Sequence, residues 1–165
     1  MGEAVLFESA VICEYLDEVH PPTLHPPDPL RKAVNRGWME FSSELFVDLY
    51  RLYTAGEEAE SEESRREARQ KLERLEKQLG EGPFFNGPRF SLMDAAIAPA
   101  FMRIALMEEF RPLGLLDRLP KVQRWSEALL GRDSVRTSVV PEFPQLFREY
   151  LATGGGYLAR GAGGS

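Results

Sequence analysis

Ser91-Leu92-Met93-Asp94-Ala95-Ala96-Ile97-Ala98-Pro99-Ala100-Phe101 reads as the start of a helix that a small domain buries. Ser91 and Asp94 have the spacing of a capping box. The serine hydroxyl accepts from the Asp94 N–H, and the carboxylate reaches back to the Ser91 N–H. Ala95, Ala96, Ile97, Ala98, Ala100, Phe101, Ile104, Ala105 and Leu106 then leave almost no polar side. A helix apolar all round must be surrounded by protein, so this one forms the core. Pro99 lacks a backbone donor inside it and is expected to kink it. Ser91 and Asp94 are a folding device, with no histidine at hand to make them a triad.

Upstream of this helix, Gly82–Arg89 is a loop of glycine, proline and aromatic residues. Gly56 to Leu79 is dense in Glu and Arg but keeps a seam of Ala68, Leu72, Leu75 and Leu79. It reads as a solvated surface helix, with Glu62/Arg66, Glu67/Lys71 and Glu73/Lys77 in the favourable i,i+4 order. Before it, Asp28 and Pro29 stand as cap and first residue of a long helix. Leu30, Val34, Trp38, Phe41, Leu45, Leu49 and Leu52 trace one apolar stripe along it; Met39, Phe46, Tyr50 and Tyr53 trace a second. Such a helix packs on two sides, centrally or at a subunit interface.

Downstream, Pro120, Val122, Trp125, Ala128 and Leu129 define another amphipathic helix, followed by a short turn over Asp133–Val139. Pro144, Leu146, Phe147, Tyr150 and Leu151 mark the last helix. The glycines after Thr153 indicate a flexible tail.

At the other end, Ala4-Val5-Leu6-Phe7 is a short apolar β-forming run, and Ser9 stands as the cap of a helix carrying Val11, Ile12, Tyr15, Leu16 and Val19. Pro21-Pro22 stops that helix. The expected architecture is therefore an all-α bundle preceded by one stray strand and its helix. The divisions are 1–20 for strand and helix, 21–28 for a Pro-rich linker, 29–152 for the bundle and 153–165 for the tail. A lone strand cannot satisfy its backbone, so Ala4–Phe7 is expected to join a sheet completed outside this chain. Its free edges and the second stripe of the long helix predict a homodimer, or association with a chain that completes the sheet.

Across 165 residues, 20 Lys and Arg face 26 Asp and Glu, a net charge of -6. That balance disfavours nucleic acid and anionic membrane as partners. No apolar run approaches the roughly 20 residues of a membrane span, and the N-terminus lacks the pattern of a secretory signal, so a cytoplasmic protein is expected. The one cysteine, Cys13, excludes an intrachain disulfide. Its apolar helical neighbours suggest a buried, inert thiol. His20 and His25 flank a Pro-rich loop with no acidic or cysteine partner at ligand spacing, so they read as solvent-exposed and no metal site is expected.

Four pieces, in order, now carry a family resemblance. Val5-Leu6-Phe7-Glu8-Ser9 with Ile12 and Tyr15-Leu16 resembles the end of the thioredoxin-like domain of cytosolic glutathione transferases. Phe90-Ser91-Leu92-Met93-Asp94-Ala95-Ala96 with Pro99 resembles the capping box of that family's helical C-terminal domain. Leu119-Pro120-Lys121-Val122 through Trp125 is similar to a later helix. Arg132-Asp133-Ser134-Val135 is similar to the turn after it, with Asp133 where the family has proline.

The resemblance implies that Glu8 and Ser9 bind the γ-glutamyl end of glutathione, the substrate. It implies that Phe46, Tyr50 and Tyr53 line a pocket for a small electrophile. In the family, the catalytic Tyr, Ser or Cys and most of the glutathione-binding backbone lie on segments with no counterpart after Met1. The chain alone is therefore expected to be inactive, as an N-terminally truncated transferase. The alternatives are a non-catalytic helical interaction module of the same fold and an inactive relic.

Overall fold

The structure, a computed structural model, describes residues 5–161. Seven α-helices and a closing 3-10 turn are present among them: α1 (Ser9–Val19), α2 (Pro29–Thr54), α3 (Glu58–Gln78), α4 (Leu92–Phe110), α5 (Pro120–Leu130), α6 (Asp133–Arg136), α7 (Phe143–Thr153) and the turn at Tyr157–Gly161. The described residues are all-α, as the periodicity indicates.

The stray strand is not there. Val5–Phe7 has no regular secondary structure, and Ala4 lies outside the described residues. A strand exists only through hydrogen bonds to a neighbour, and no strand forms among the described residues, where the one β-bridge joins Phe84 to Gly87. Without a partner the run leaves Val5 84% and Phe7 76% exposed. The reading of a remnant thioredoxin-like strand is thereby corrected, and edge pairing drops out as a reason for association.

Helix α4 occupies the centre. Met93, Ile97, Ala100, Phe101 and Met107 are completely buried, and α2, α5 and α7 pack against it. From α2 come Leu45, Leu49 and Leu52; from α5, Val122, Trp125 and Leu129; from α7, Phe147 and Leu151. Helix α3 closes on α2 and α5 through Ala68, Leu72 and Leu75. The first stripe on α2 holds only towards its C-terminal half, because Leu30 is 73% and Val34 44% exposed. The arginines of α3 take other partners than the spacing predicts. Arg65 and Arg66 reach back three residues to Glu62 and Glu63, and Lys71 crosses to the buried Asp48 of α2 at 2.6 Å.

Caps come from near and far. Asp28 accepts from the Arg31 N–H at 2.8 Å and starts α2. Helix α5 has no cap of its own, and Glu76 of α3 supplies one by accepting from Lys121 and Val122 at 3.2 and 2.8 Å. At α4 the box forms as its spacing demands, and Ser91 also donates its hydroxyl to Asp94 at 2.5 Å. Replacing Ser91 by alanine is expected to lower unfolding free energy by about 0.5–2 kcal/mol, read from urea midpoints. An unchanged midpoint would contradict the cap's importance.

Helix α1 and the linker attach to α2 mainly through charge. Glu14 pairs with Arg36, Glu18 with Lys32 at 3.0 Å, and the buried Asp17 accepts from the Leu24 and His25 N–H groups at 2.5 and 3.3 Å. His25 is buried, not exposed as its loop position suggests, and its Nε2 lies 3.7 Å from a Glu14 oxygen. The Arg36 hydrogen bond holds the Glu14 carboxyl below its ordinary pKa. Burial pushes the His25 imidazole below its ordinary 6.5, against the pull of Glu14 and Asp17.

The folded chain therefore binds this histidine's proton less readily than the unfolded chain does. The stability His25 contributes is whole above pH 6.5 and declines as pH falls below it. Urea midpoints are expected to drop between pH 7 and 5, and His25→Asn should flatten that slope. Equal slopes for the two proteins would refute the assignment.

Residues 154–161 of the expected tail fold back onto the bundle, and the rest of it lies outside the described residues. The Tyr157 N–H donates to the Ala55 carbonyl at 2.7 Å, and Leu158 is buried. Gly156 makes the approach possible, since a Cβ there would stand 2.5 Å from the Tyr53 carbonyl oxygen.

Candidate functional site

Helices α1, α2 and α4 enclose an apolar groove of about 420 Å3 beside Ser9. Helix α1 contributes Ser9, Ala10 and Cys13; α2 contributes Met39, Glu40, Ser43 and Phe46; α4 contributes Leu92, Ala95, Ala96 and Pro99. Each set repeats at three- and four-residue steps, so each is one face of its helix. The alanines end at Cβ, which leaves the space open.

Glu8 stands at the start of α1 with φ 67 and ψ 118. A side chain with a Cβ rarely adopts such a backbone, and strain of this kind persists where surrounding structure holds it, often at ligand sites. Helix α1 begins at Ser9, so Glu8 and not Ser9 occupies the cap position, and no side chain caps the first turn. Both residues are exposed. They leave an open helix N-terminus, which favours a carboxylate.

The three aromatic candidates are divided. Phe46 lines the groove, with the Arg103 guanidinium 5.7 Å from its ring centre. Tyr53 instead joins a cluster with Tyr50, Phe147 and Tyr150, its ring centre 5.5 to 5.8 Å from theirs. Burial raises the Tyr53 phenol above its ordinary range, and the Arg103 charge opposes this only in part. Tyr50 is 56% exposed. Arg103 lies equally far from Phe143 of α7, so it bridges groove and cluster.

Asp94 is completely buried, and its work is structural. Its carboxylate accepts from the N–H groups of Phe85 and Ser91, each at 2.8 Å, and from the Trp125 indole at 2.6 Å. Cys13 is exposed on the groove, which corrects the expectation of a buried thiol. Met39, Glu40, Ser43, Ala95 and Ala96 are groove residues that the sequence reading did not select, although their helical spacing puts them on common faces. Among the described residues, no three His, Cys, Asp or Glu side chains gather as a metal site.

The chain matches the family model for the glutathione S-transferase C-terminal domain over residues 58–128. It is 31% identical over 157 residues to a probable glutathione S-transferase of Glycine max, covering 92% of this chain and 68% of that protein. This chain belongs to the glutathione S-transferase family.

Glutathione S-transferase U19 of Arabidopsis thaliana is 30% identical over 147 residues, 88% of this chain. The chain spans 66% of the length of U19, just under two thirds. Among solved structures, a rice glutathione S-transferase in complex with glutathione superposes with a TM-score of 0.72 at 25% identity, over 89% of this chain and 68% of that one. The transferase helical domain is thus the fold described above. No helix among the described residues is long and apolar enough to cross a membrane.

Proposed function

We propose that this chain supplies the helical part of an enzyme that conjugates glutathione to small electrophiles. The groove between α1, α2 and α4 takes the electrophile, and Glu8 and Ser9 hold the γ-glutamyl end of glutathione. The observation that carries this reading is that Ser9, next to the strained Glu8, lines an apolar groove that includes Phe46. The Glu8 carboxylate suits the ligand ammonium, and the Ser9 hydroxyl with the open N-terminus of α1 suits its carboxylate. The groove wall then brings an apolar electrophile beside the sulfur, which makes the attack effectively unimolecular.

Arg103, set against both Phe46 and Phe143, links the groove to the aromatic cluster that holds Tyr50 and Tyr53. The apolar side chains that α1 leaves exposed, Val11, Ile12, Leu16 and Val19 among them, support association with a second chain or domain. That face also favours the alternative of a non-catalytic interaction module.

The chain alone is expected to conjugate nothing, because Glu8 and Ser9 grip one end of the tripeptide and leave the thiol near its free pKa of about 8.5. Two measurements test this. With glutathione and 1-chloro-2,4-dinitrobenzene, the expected rate equals that of buffer; a clear excess would place a catalytic group in this chain, with Cys13 the first suspect. In nuclear magnetic resonance titrations, S-hexylglutathione should shift the amides of Glu8–Cys13 and of Phe46 at millimolar concentration. Glu8→Ala and Ser9→Ala should weaken those shifts. Shifts elsewhere, or indifference to both substitutions, would overturn the site.

A further inference from the structure

A second cleft, of about 450 Å3, lies where the Pro-rich segment meets the loop before α4. It shares no lining residue with the groove of Ser9 and Phe46. Prolines of the 21–27 segment and the Phe90 ring give it apolar walls, while its polar groups include Arg31, Arg89, the Asn86 amide and His25. No carboxylate lines it, although the chain carries a net charge of -6.

The acids nearby are already engaged. Asp28 accepts from the Arg31 backbone N–H at 2.8 Å, Asp17 from the Leu24 and His25 backbones, and Glu14 pairs with Arg36. Among the described residues, the Arg31 and Arg89 side chains have no carboxylate, carbonyl or ring partner. Most other arginines do, including Arg36, Arg69 and Arg103. A further guanidinium, Arg132, lies 4.1 Å from the Phe90 ring centre and adds positive potential. His25, only 4% exposed, leaves both ring nitrogens without a hydrogen bond, an uncommon state for a buried polar group, with the Arg36-paired Glu14 carboxylate 3.7 Å from its Nε2.

We propose that this cleft binds a small organic anion, a carboxylate or phosphate monoester on a flat apolar body. Arg31 and Arg89 take the charge, since a guanidinium fork matches either oxyanion. The prolines and Phe90 cover the body, and the volume suits a small ligand. Lacking any carboxylate in its lining, the cleft needs no internal ion pair broken before an anion enters.

The test titrates phenyl phosphate and benzoate, separately, into the 165-residue chain while backbone amide shifts are recorded. Inorganic phosphate and phenol serve as the two halves of the ligand. At least one of the complete anions should give saturable shifts confined to residues 21–31 and 84–91, binding roughly fivefold or more tightly than either half. The tighter of the two identifies the headgroup. Arg31→Gln and Arg89→Gln should each weaken binding roughly fivefold. Arg66→Gln, which removes the same charge from an exposed pair on α3, should leave it unchanged. Absence of saturation by about 10 mM, shifts scattered over other arginines, or full affinity in the Arg31→Gln/Arg89→Gln double variant would each overturn the proposal. The wild-type shift map decides the matter even if a variant fails to fold.

Discussion

Asp94→Ala is expected to cost the domain about 3–5 kcal/mol, enough to bring a protein of ordinary stability close to its unfolding threshold. An N-cap partner on a helix surface would cost far less. The difference lies in what Asp94 holds: two backbone N–H groups, the Ser91 hydroxyl and the Trp125 indole, all buried. Alanine leaves each of these donors without an acceptor in a site that excludes water, and each orphan costs about 1–3 kcal/mol. Asp94→Asn keeps one acceptor oxygen but turns an NH2 group towards donors, so a smaller loss is expected. Trp125→Phe removes one donor and leaves the carboxylate satisfied by the others. Asp94→Ala and Trp125→Phe should couple in a double-mutant cycle, because the indole bond is lost in both. Additive urea midpoints, or a loss below about 1 kcal/mol for Asp94→Ala, would show that the network is not what holds the loop and α5 to α4.

Glu108→Ala should lower stability by about 2–4 kcal/mol, with the damage concentrated in the connection between α4 and α5. Glu108 accepts from the N–H groups of Leu113, Gly114 and Leu115 at 2.8, 3.2 and 2.8 Å. The same three residues turn their carbonyls to α3, where Arg65 donates to Leu113 and Arg69 to Gly114 and Leu115. One acidic side chain thus satisfies the donors of the turn, and two basic ones satisfy its acceptors. Hydrogen exchange at Leu113–Leu115 should accelerate in the variant well beyond the change in α2. Uniform acceleration across the bundle would mean that Glu108 contributes only to global stability.

How far the sequence could be read depended on where each signal came from. The core helix was legible because Ser91 and Asp94 set its start and an unbroken apolar girth required burial; both depend only on local spacing. The stray strand misled because Val5-Leu6-Phe7 has β-forming composition, while a strand is a property of two segments. His25 sits in a loop by sequence but is buried by Asp17 and α1, a long-range effect that no local pattern encodes. Cys13 shows the reverse, since its apolar neighbours on α1 are themselves left exposed. At the candidate site, Glu8, Ser9 and Phe46 were reached through resemblance, while the alanines that hollow the groove looked like plain core residues. Tyr50 and Tyr53 shared a stripe with Phe46, but one more turn of α2 carries them to the cluster on α7.

One wall of the groove is fastened differently from the other two. Helices α2 and α4 meet through buried leucine, methionine and phenylalanine, whereas α1 is tied to α2 by the Glu14–Arg36 and Glu18–Lys32 pairs, its buried Asp17 holding only the linker. Apolar packing is insensitive to moderate salt, but exposed ion pairs weaken once the Debye length shrinks to a few ångströms. Ionic strength is therefore a selective solvent lever on this molecule. Raised salt should let α1 detach as a local opening unit while the rest of the bundle keeps its protection against exchange. The groove would then widen from one side without any melting of the core.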